Sequence, residues 1–262
     1  MLAALLELAP AGVEQVDGDG FVEYALYGAP GELPAFPEGD ADVGGVRVRV
    51  RGEPVAEDWA ERWKQFHEPV LVEPPAGAAR PGTAERPAIW VRPPWADPRE
   101  GALDLVIDPG QAFGTGAHPT TRLCLELMLG LEASGSFADL GSGSGVLAIA
   151  AALLGFRPVT AVDNELAALD ATQANAAANG VRLERLERVN LREEPAPEAG
   201  TIVANLMRPL LLEVAGRMER RPDALILSGL LDEEADEVAA AFAPLRERER
   251  RSMQGWTALL LL

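Results

Sequence analysis

Cysteine, histidine and lysine are almost missing from this chain of 262 residues. It has one cysteine, Cys124, and two histidines, His67 and His118. One thiol excludes an internal disulfide, and so few ligands leave no zinc-type spacing, so no metal is expected. Lys64 is the sole lysine among 23 basic residues, a bias that reads as genome composition. No apolar run approaches the ~18 residues that a membrane-spanning helix needs. A positive leader is lacking as well. The opening MLAALLELAPAG is interrupted by Glu7 and reads as a short amphipathic helix, so a cytoplasmic protein is expected. Positive charge is scarce overall: 41 acids face 23 bases, a net charge of −18. That balance opposes binding to phosphate backbones, and neither nucleic acid nor membrane is expected as a partner. From Met1 to Val46 there are nine acids and no Lys or Arg. Such a segment makes a solvated acidic face or a field that steers a basic partner.

The length allows one large or two modest domains, and 48% hydrophobic residues suffice for a real core. The first seventy residues read as small α+β. A helix over Leu2 to Ala9 precedes strands around Gly12–Val16 and Phe21–Tyr27, joined by the Asp-Gly-Asp-Gly turn of Asp17 to Gly20. In VRVRVR the valines Val46, Val48 and Val50 share one face and the arginines the other. AEDWAERWKQF sets Trp59, Trp63 and Phe66 at helical spacing. Seven prolines between Glu73 and Pro98 suit a linker with one short strand near Ile89–Val91. The expected domains are therefore 1–55, a linker helix and Pro-rich connection over 56–100, and 101–262. From Leu103 onward strands and helices alternate. Strands are predicted at Phe137–Leu140, Val159–Asp163, Thr201–Asn205 and Leu225–Ser228. Helices are predicted near Ser144–Leu154, Glu165–Asn179, Pro209–Arg220 and Glu233–Phe242, with a closing hairpin of Leu245–Arg251 and Trp256–Leu261. This alternation specifies an α/β fold with a helix-covered parallel sheet.

The strongest motif is ADLGSGSGVLAIAA, where a short strand runs through three glycines into a helix. Gly141 suits the tight turn, Gly143 a close ligand approach, and Gly145 the packing of helix on strand. Asp139 sits two residues before Gly141, where a pyrophosphate would be repelled and an ammonium or sulfonium attracted. Val146 also stands where the dinucleotide pattern needs Gly or Ala. Asp163 ends the next strand, placed to accept both hydroxyls of an adenosine ribose. A positively charged nucleoside satisfies all three, and S-adenosyl-L-methionine (SAM) is the common one. Asn205 ends the predicted fourth strand. There it is either turn chemistry or a neutral acceptor for an amine nucleophile, one that does not hold the amine as ammonium. In IDPGQAFGTGAHPTTRLCLELM, Gly114 and Gly116 flank Thr115, and a helix begins near His118 or Pro119 with Thr120 and Thr121 in its first turn. His118 there reads as a cap, with a general base as the other reading.

In order and spacing, DPGQAFGTGAHPTTRL, DLGSGSGVLAIAA, AVDNE and VANL, with EDWAERWK before them and GWTALLLL after, resemble one bacterial methyltransferase family. It is the family that modifies large-subunit ribosomal protein eleven. The GTGAHPTT segment makes the resemblance specific, because SAM methyltransferases in general do not share it. It covers the chain from about Asp58. The resemblance implies a ferredoxin-like N-terminal domain that grips the ribosomal protein, a helical linker, and a Rossmann-like class I SAM methyltransferase domain. The family's first domain opens with a strand, whereas this chain opens within the first helix, so its small sheet is expected to lack that strand. SAM contacts are implied at Thr121, Gly141, Asp163 and Asn205, and the matching segments add Thr115, Gly116, Asp139 and Gly143. Asn205 is the expected catalytic residue, positioning an α-amine or lysine for in-line displacement at the methyl carbon while solvent takes the proton. A monomer is expected. Lysines of another protein, or nucleotide sensing without catalysis, are the other functions compatible with the residues.

Overall fold

The protein is described from a computed structural model covering residues 13–18, 21–26, 39–43, 46–51, 67–74, 87–109 and 116–262. The chain divides into two units, Met1–Arg62 and Trp63–Leu262. The predicted helices over Leu2 to Ala9 and AEDWAERWKQF fall outside the described residues.

In the first unit, β1 (Val13–Gly18) and β2 (Phe21–Leu26) pair antiparallel, with Gly18 opposite Phe21 at the expected hairpin end. β3 (Gly39–Val43), which the sequence pattern did not single out, pairs with β4 (Val46–Val50). In β4, Val48 and Val50 are half-buried while Arg47 and Arg49 are exposed, as the alternation requires, but Val46 at the start of the strand is exposed. The register sets Asp40 opposite Arg49 and Asp42 opposite Arg47, with 3.5 Å between Arg49 and Asp40. Arg49 thus offsets part of the acidic run across the hairpin, although a pair this exposed adds little stability.

In the second unit, β8 (Phe137–Leu140), β9 (Val159–Asp163), β10 (Arg185–Arg188), β11 (Thr201–Asn205), β12 (Ala224–Leu231), β13 (Glu247–Met253) and β14 (Trp256–Leu261) form one sheet. Their spatial order is β10-β9-β8-β11-β12-β14-β13. The strands from β10 to β12 are parallel, and β14 is antiparallel to both its neighbours. The helices are α1 (Pro119–Gly130), α2 (Val146–Leu154), α3 (Leu166–Ala178), α4 (Arg208–Arg217) and α5 (Ala235–Ala241). Parallel neighbours need a crossover connection, which α2, α3 and α4 provide. Alternate strand residues feed two cores. Phe137, Val203 and Ile226 pack with α1 and α2, whereas Ala138, Leu140, Ile202, Leu225 and Leu227 pack with Leu211 of α4 and Val238 of α5. From β8 the chain runs outward through β9 and β10 and then returns to β11. The carboxyl ends of β8 and β11 therefore flank a topological switch point, where open α/β sheets bind ligands.

Several expectations are modified. The predicted Glu233–Phe242 helix starts as a 3-10 turn, Asp232–Glu234, before α5. The predicted Leu225–Ser228 strand continues to Leu231 through an irregularity that contains Gly229, at φ +82°. The edge strand β10 was missed, because RLER is mostly exposed and carries no apolar alternation. The Pro-rich connection contains, where it is described, the short strand expected near Ile89–Val91, and two more flank it. β5 (Val70–Val72), β6 (Ile89–Arg92) and β7 (Leu103–Val106) form a further sheet. Its Val72, Ile89, Val91 and Leu105 are buried in the α1 and α2 core. The described part of this connection belongs to the second unit, Trp63–Leu262. Among the described residues no helix is long and apolar enough to cross a membrane.

Candidate functional site

The glycine-rich loop after β8 is held mainly through its backbone. Gly141 and Ser142 N–H both donate to the Val162 carbonyl, at 2.9 and 3.0 Å. Gly143 N–H donates to Asp163 Oδ2 at 2.9 Å, and Glu165 N–H donates to Asp163 Oδ1 at 3.0 Å. Each carboxylate oxygen keeps acceptor capacity after one such bond, so Asp163 can still receive the two hydroxyls of a ribose. Gly141 turns at φ +77°, and a Cβ there would lie 2.5 Å from Leu206 Cδ2. Gly145 does a different job from the one expected. A Cβ on it would come within 2.8 Å of Thr172 Cγ2, so it lets α3, not the strand, pack against the start of α2.

Asp139 lies beneath this loop, 1% exposed. Its Oδ2 accepts from Ala148 N–H in the first turn of α2 at 3.0 Å, while Oδ1 is buried with no hydrogen-bond partner among the described residues. Burial pushes its carboxyl up to about 7; the Ala148 bond opposes this and the Asp163 charge adds to it. A buried carboxylate oxygen without a partner under a helix N-terminus suits a cationic ligand group and disfavours a phosphate, because a second negative charge would meet the first.

Around the end of β11, side chains carry the bonding. Asn205 Nδ2 donates to Thr120 Oγ1 at 3.1 Å and to Thr121 Oγ1 at 3.4 Å. Thr120 Oγ1 is 2.8 Å from His118 Nδ1, and the His118 ring caps α1 by accepting from Thr120 N–H at 3.4 Å. Ser228, opposite Asn205 in the β11–β12 register, donates its hydroxyl to the Thr120 carbonyl at 3.2 Å. The His118 ring meets Trp256 edge-on at 5.2 Å between centroids. Burial lowers the pKa of His118, favouring the neutral ring. Cys124 on the same helix is buried, which raises its thiol pKa and makes it a poor nucleophile.

Of the predicted site residues, Asp139, Gly141, Gly143 and Asp163 share one loop system, and Thr121 and Asn205 meet across the crevice. Leu206, directly after Asn205, links the two groups by filling the space beside Gly141. Gly116 has a packing reason of its own: at φ +89°, a Cβ would sit 2.5 Å from Val91 Cγ1 of β6. Thr115 falls outside the described residues.

Sequence reasoning missed Thr172 and Asn175 of α3 and Asn179, which caps its C-terminal end. The Thr172 hydroxyl lies 3.1 Å from both Ser142 Oγ and the Gly143 carbonyl. Asn175 donates to the Ser144 carbonyl at 2.9 Å and accepts from Asp108 N–H at 2.9 Å. Asn179 accepts from Val106 N–H and donates to the Val106 carbonyl, as a neighbouring strand would. The signal was present in ATQANAAANG: amides four residues apart share one helix face, here that of an alanine-rich helix.

Comparison with known proteins decides between families that share such a fold. The family model for ribosomal protein L11 methyltransferase (PrmA) matches residues 40–261. The chain belongs to this family. A Pseudomonas putida ribosomal protein L11 methyltransferase is 43% identical over 160 residues, covering 59% of this chain and 55% of that protein. Its counterpart in Pseudomonas savastanoi pv. phaseolicola is 38% identical over 192 residues, 71% of this chain and 61% of the other. The matches thus span little more than half the length of these relatives. Among solved structures, the ribosomal protein L11 methylase of Lactobacillus delbrueckii subsp. bulgaricus superposes with a TM-score of 0.58 at 27% identity, covering 66% of this chain and 94% of that one. The expected Rossmann-like domain of this family is therefore the fold observed.

Proposed function

We propose that the chain is a SAM-dependent protein N-methyltransferase acting on the N-terminal α-amine and lysine side chains of large-subunit ribosomal protein eleven. The observation that carries this reading is the placement of Asn205. Its amide is bonded to Thr120 and Thr121 and lies one residue from Leu206, which packs over the glycine loop. SAM supplies a methyl group activated by a sulfonium. In this reading Asp163 binds the ribose hydroxyls, Gly141 and Gly143 allow close approach of the backbone, and Asp139 provides negative charge beneath the loop. Thr121 completes the wall on the α1 side.

Asn205 accepts an N–H of the incoming amine and directs the nitrogen lone pair at the methyl carbon. Such alignment supplies up to ~7–11 kcal/mol of the barrier without a covalent intermediate. Because Asn205 is neutral, it does not raise the pKa of the amine. Deprotonating a lysine near pKa 10.4 at neutral pH takes roughly 4 kcal/mol, against about 1 for an α-amine near 8. The α-amine is thus the faster nucleophile. The proton leaves to solvent.

Residues 1–62 carry thirteen acids against four bases, a balance suited to drawing in a basic ribosomal protein. The reading places the protein in the cytoplasm as a monomer, with SAM and ribosomal protein eleven as its partners. Incubation with labelled SAM and purified ribosomal protein eleven tests it, with modified residues mapped by mass spectrometry. Label on the α-amine and lysines is expected, and Asn205→Ala should lower turnover about 100-fold while SAM still binds. Absence of label from ribosomal protein eleven would refute the reading.

A further inference from the structure

We propose that His118 and Thr120 are positioning residues that fix which end of the Asn205 amide meets the substrate amine. This rests on the methyl-transfer reading above. A carboxamide has an accepting and a donating end of nearly equal size. With Oδ1 towards the amine, Asn205 takes an N–H and leaves the lone pair for the methyl carbon. With NH2 towards the amine, it would donate to that lone pair and block the reaction.

The bonds that settle the orientation start at the helix cap. Thr120 N–H donates to His118 Nδ1, so Nδ1 carries no proton and the ring proton sits on Nε2. The hydroxyl of Thr120, 2.8 Å from the same nitrogen, must then be a donor to it. With its proton committed, Thr120 Oγ1 can only accept from Asn205, and the group it faces must be Nδ2. Thr121 Oγ1, at 3.4 Å, faces the same amide nitrogen. Oδ1 is thereby assigned the accepting role. Thr120 itself is fixed: it is 1% exposed, and its carbonyl receives the Ser228 hydroxyl from the strand beside Asn205. The Trp256 ring holds the imidazole from the side. In this arrangement His118 acts through its lone pair, as the fixed acceptor at the end of a chain of donors, and not as a proton-abstracting base.

Two pairs of variants test this. Thr120→Val keeps the shape and removes the hydroxyl; kcat should fall about 10-fold or more with the SAM Kd within about 2-fold, and Thr120→Ser should restore most of it. His118→Ala should lose about 10-fold in kcat. His118→Asn, whose amide oxygen can cap the helix and accept from Thr120, should recover most of that loss. Nuclear magnetic resonance of 15N-labelled protein gives a readout independent of turnover. The His118 ring should be the Nε2-protonated tautomer, and the Asn205 side-chain NH2 should exchange slowly in the wild type and rapidly in Thr120→Val. A His118→Asn variant as impaired as His118→Ala, a fully active Thr120→Val, or a protonated Nδ1 in the wild type would overturn the proposal. A wild-type chain that binds SAM but leaves ribosomal protein eleven unmodified would overturn the substrate reading alone, since the resonance data still judge the hydrogen-bond chain.

Discussion

At the end of β8 most bonds have a backbone group of the loop at one end, as with Gly141 to Val162, Gly143 to Asp163 and Asn175 to Ser144. At the end of β11 they run from side chain to side chain, from Asn205 through Thr120 to His118. A loop held by its backbone tolerates varied side chains except where a positive φ or a close approach demands glycine. A chain of side chains fails at any link. On the function proposed above, the first region would hold the cofactor and the second would control the direction of the incoming amine. Substitutions in the first should alter SAM affinity, and substitutions in the second should alter turnover.

The largest effect is expected where the two regions meet. A Cβ at Gly229 would lie 2.5 Å from the Leu206 carbonyl oxygen, at φ +82°. The left-handed backbone costs roughly 1–2 kcal/mol for a non-glycine residue, and relieving the clash adds a similar amount. Gly229→Ala should thus lower Tm by roughly 6–12 °C in a thermal melt. An unchanged Tm would mean that β11 and β12 are not locked together there.

Next comes Asn175→Ala, which removes both the donor to Ser144 and the acceptor for Asp108 N–H. Losing the two hydrogen bonds costs about 2–3 kcal/mol, and calorimetry should show weaker SAM binding with kcat little changed at saturation. A fall in kcat with SAM affinity intact would blur the division between the two regions.

The smallest effect is a pH dependence. The Asp139 carboxyl is raised to about 7 in the fold, above its ordinary value of 3.8. The folded state then holds its proton where the unfolded state has lost it. The stability this proton gives is complete below about pH 4 and disappears as pH rises through about 7, on the order of 2 kcal/mol between pH 5 and 7. Asp139→Asn should remove this slope, so the wild type loses Tm relative to the variant as pH rises. If Asp139 supports a cationic cofactor, SAM affinity should do the reverse, strengthening with pH up to about 7 in the wild type and staying flat in the variant. A slope in stability without one in affinity would make Asp139 purely a support for α2.

The strands Phe137–Leu140, Val159–Asp163 and Thr201–Asn205 were readable to the residue because fully buried strands are short apolar runs between turn signals. β10, charged and at the sheet edge, leaves no such trace. In the site, the glycines and acids could be read singly, since a turn or a charge belongs to one residue. Their tasks could not. Asp139 looked like a strand-end acid facing a ligand, and only the fold shows it buried under α2; Gly145 looked like a strand contact, and only Thr172 shows otherwise. The bonds from Asn205 to Thr120 and from Asn175 to Asp108 join residues 85 and 67 positions apart. No local pattern records them.

Leu206 stands between two glycines that cannot carry a side chain while it keeps its place: its Cδ2 fills the room beside Gly141, and its carbonyl fills the room beside Gly229. The three positions therefore form a unit of inheritance. A larger residue at 141 needs the leucine side chain trimmed and must still adopt the left-handed φ of +77°, whereas at 229 the main chain itself would also have to move. Drift in this part of the protein should follow that order, with 206 changing first, 141 second and 229 last.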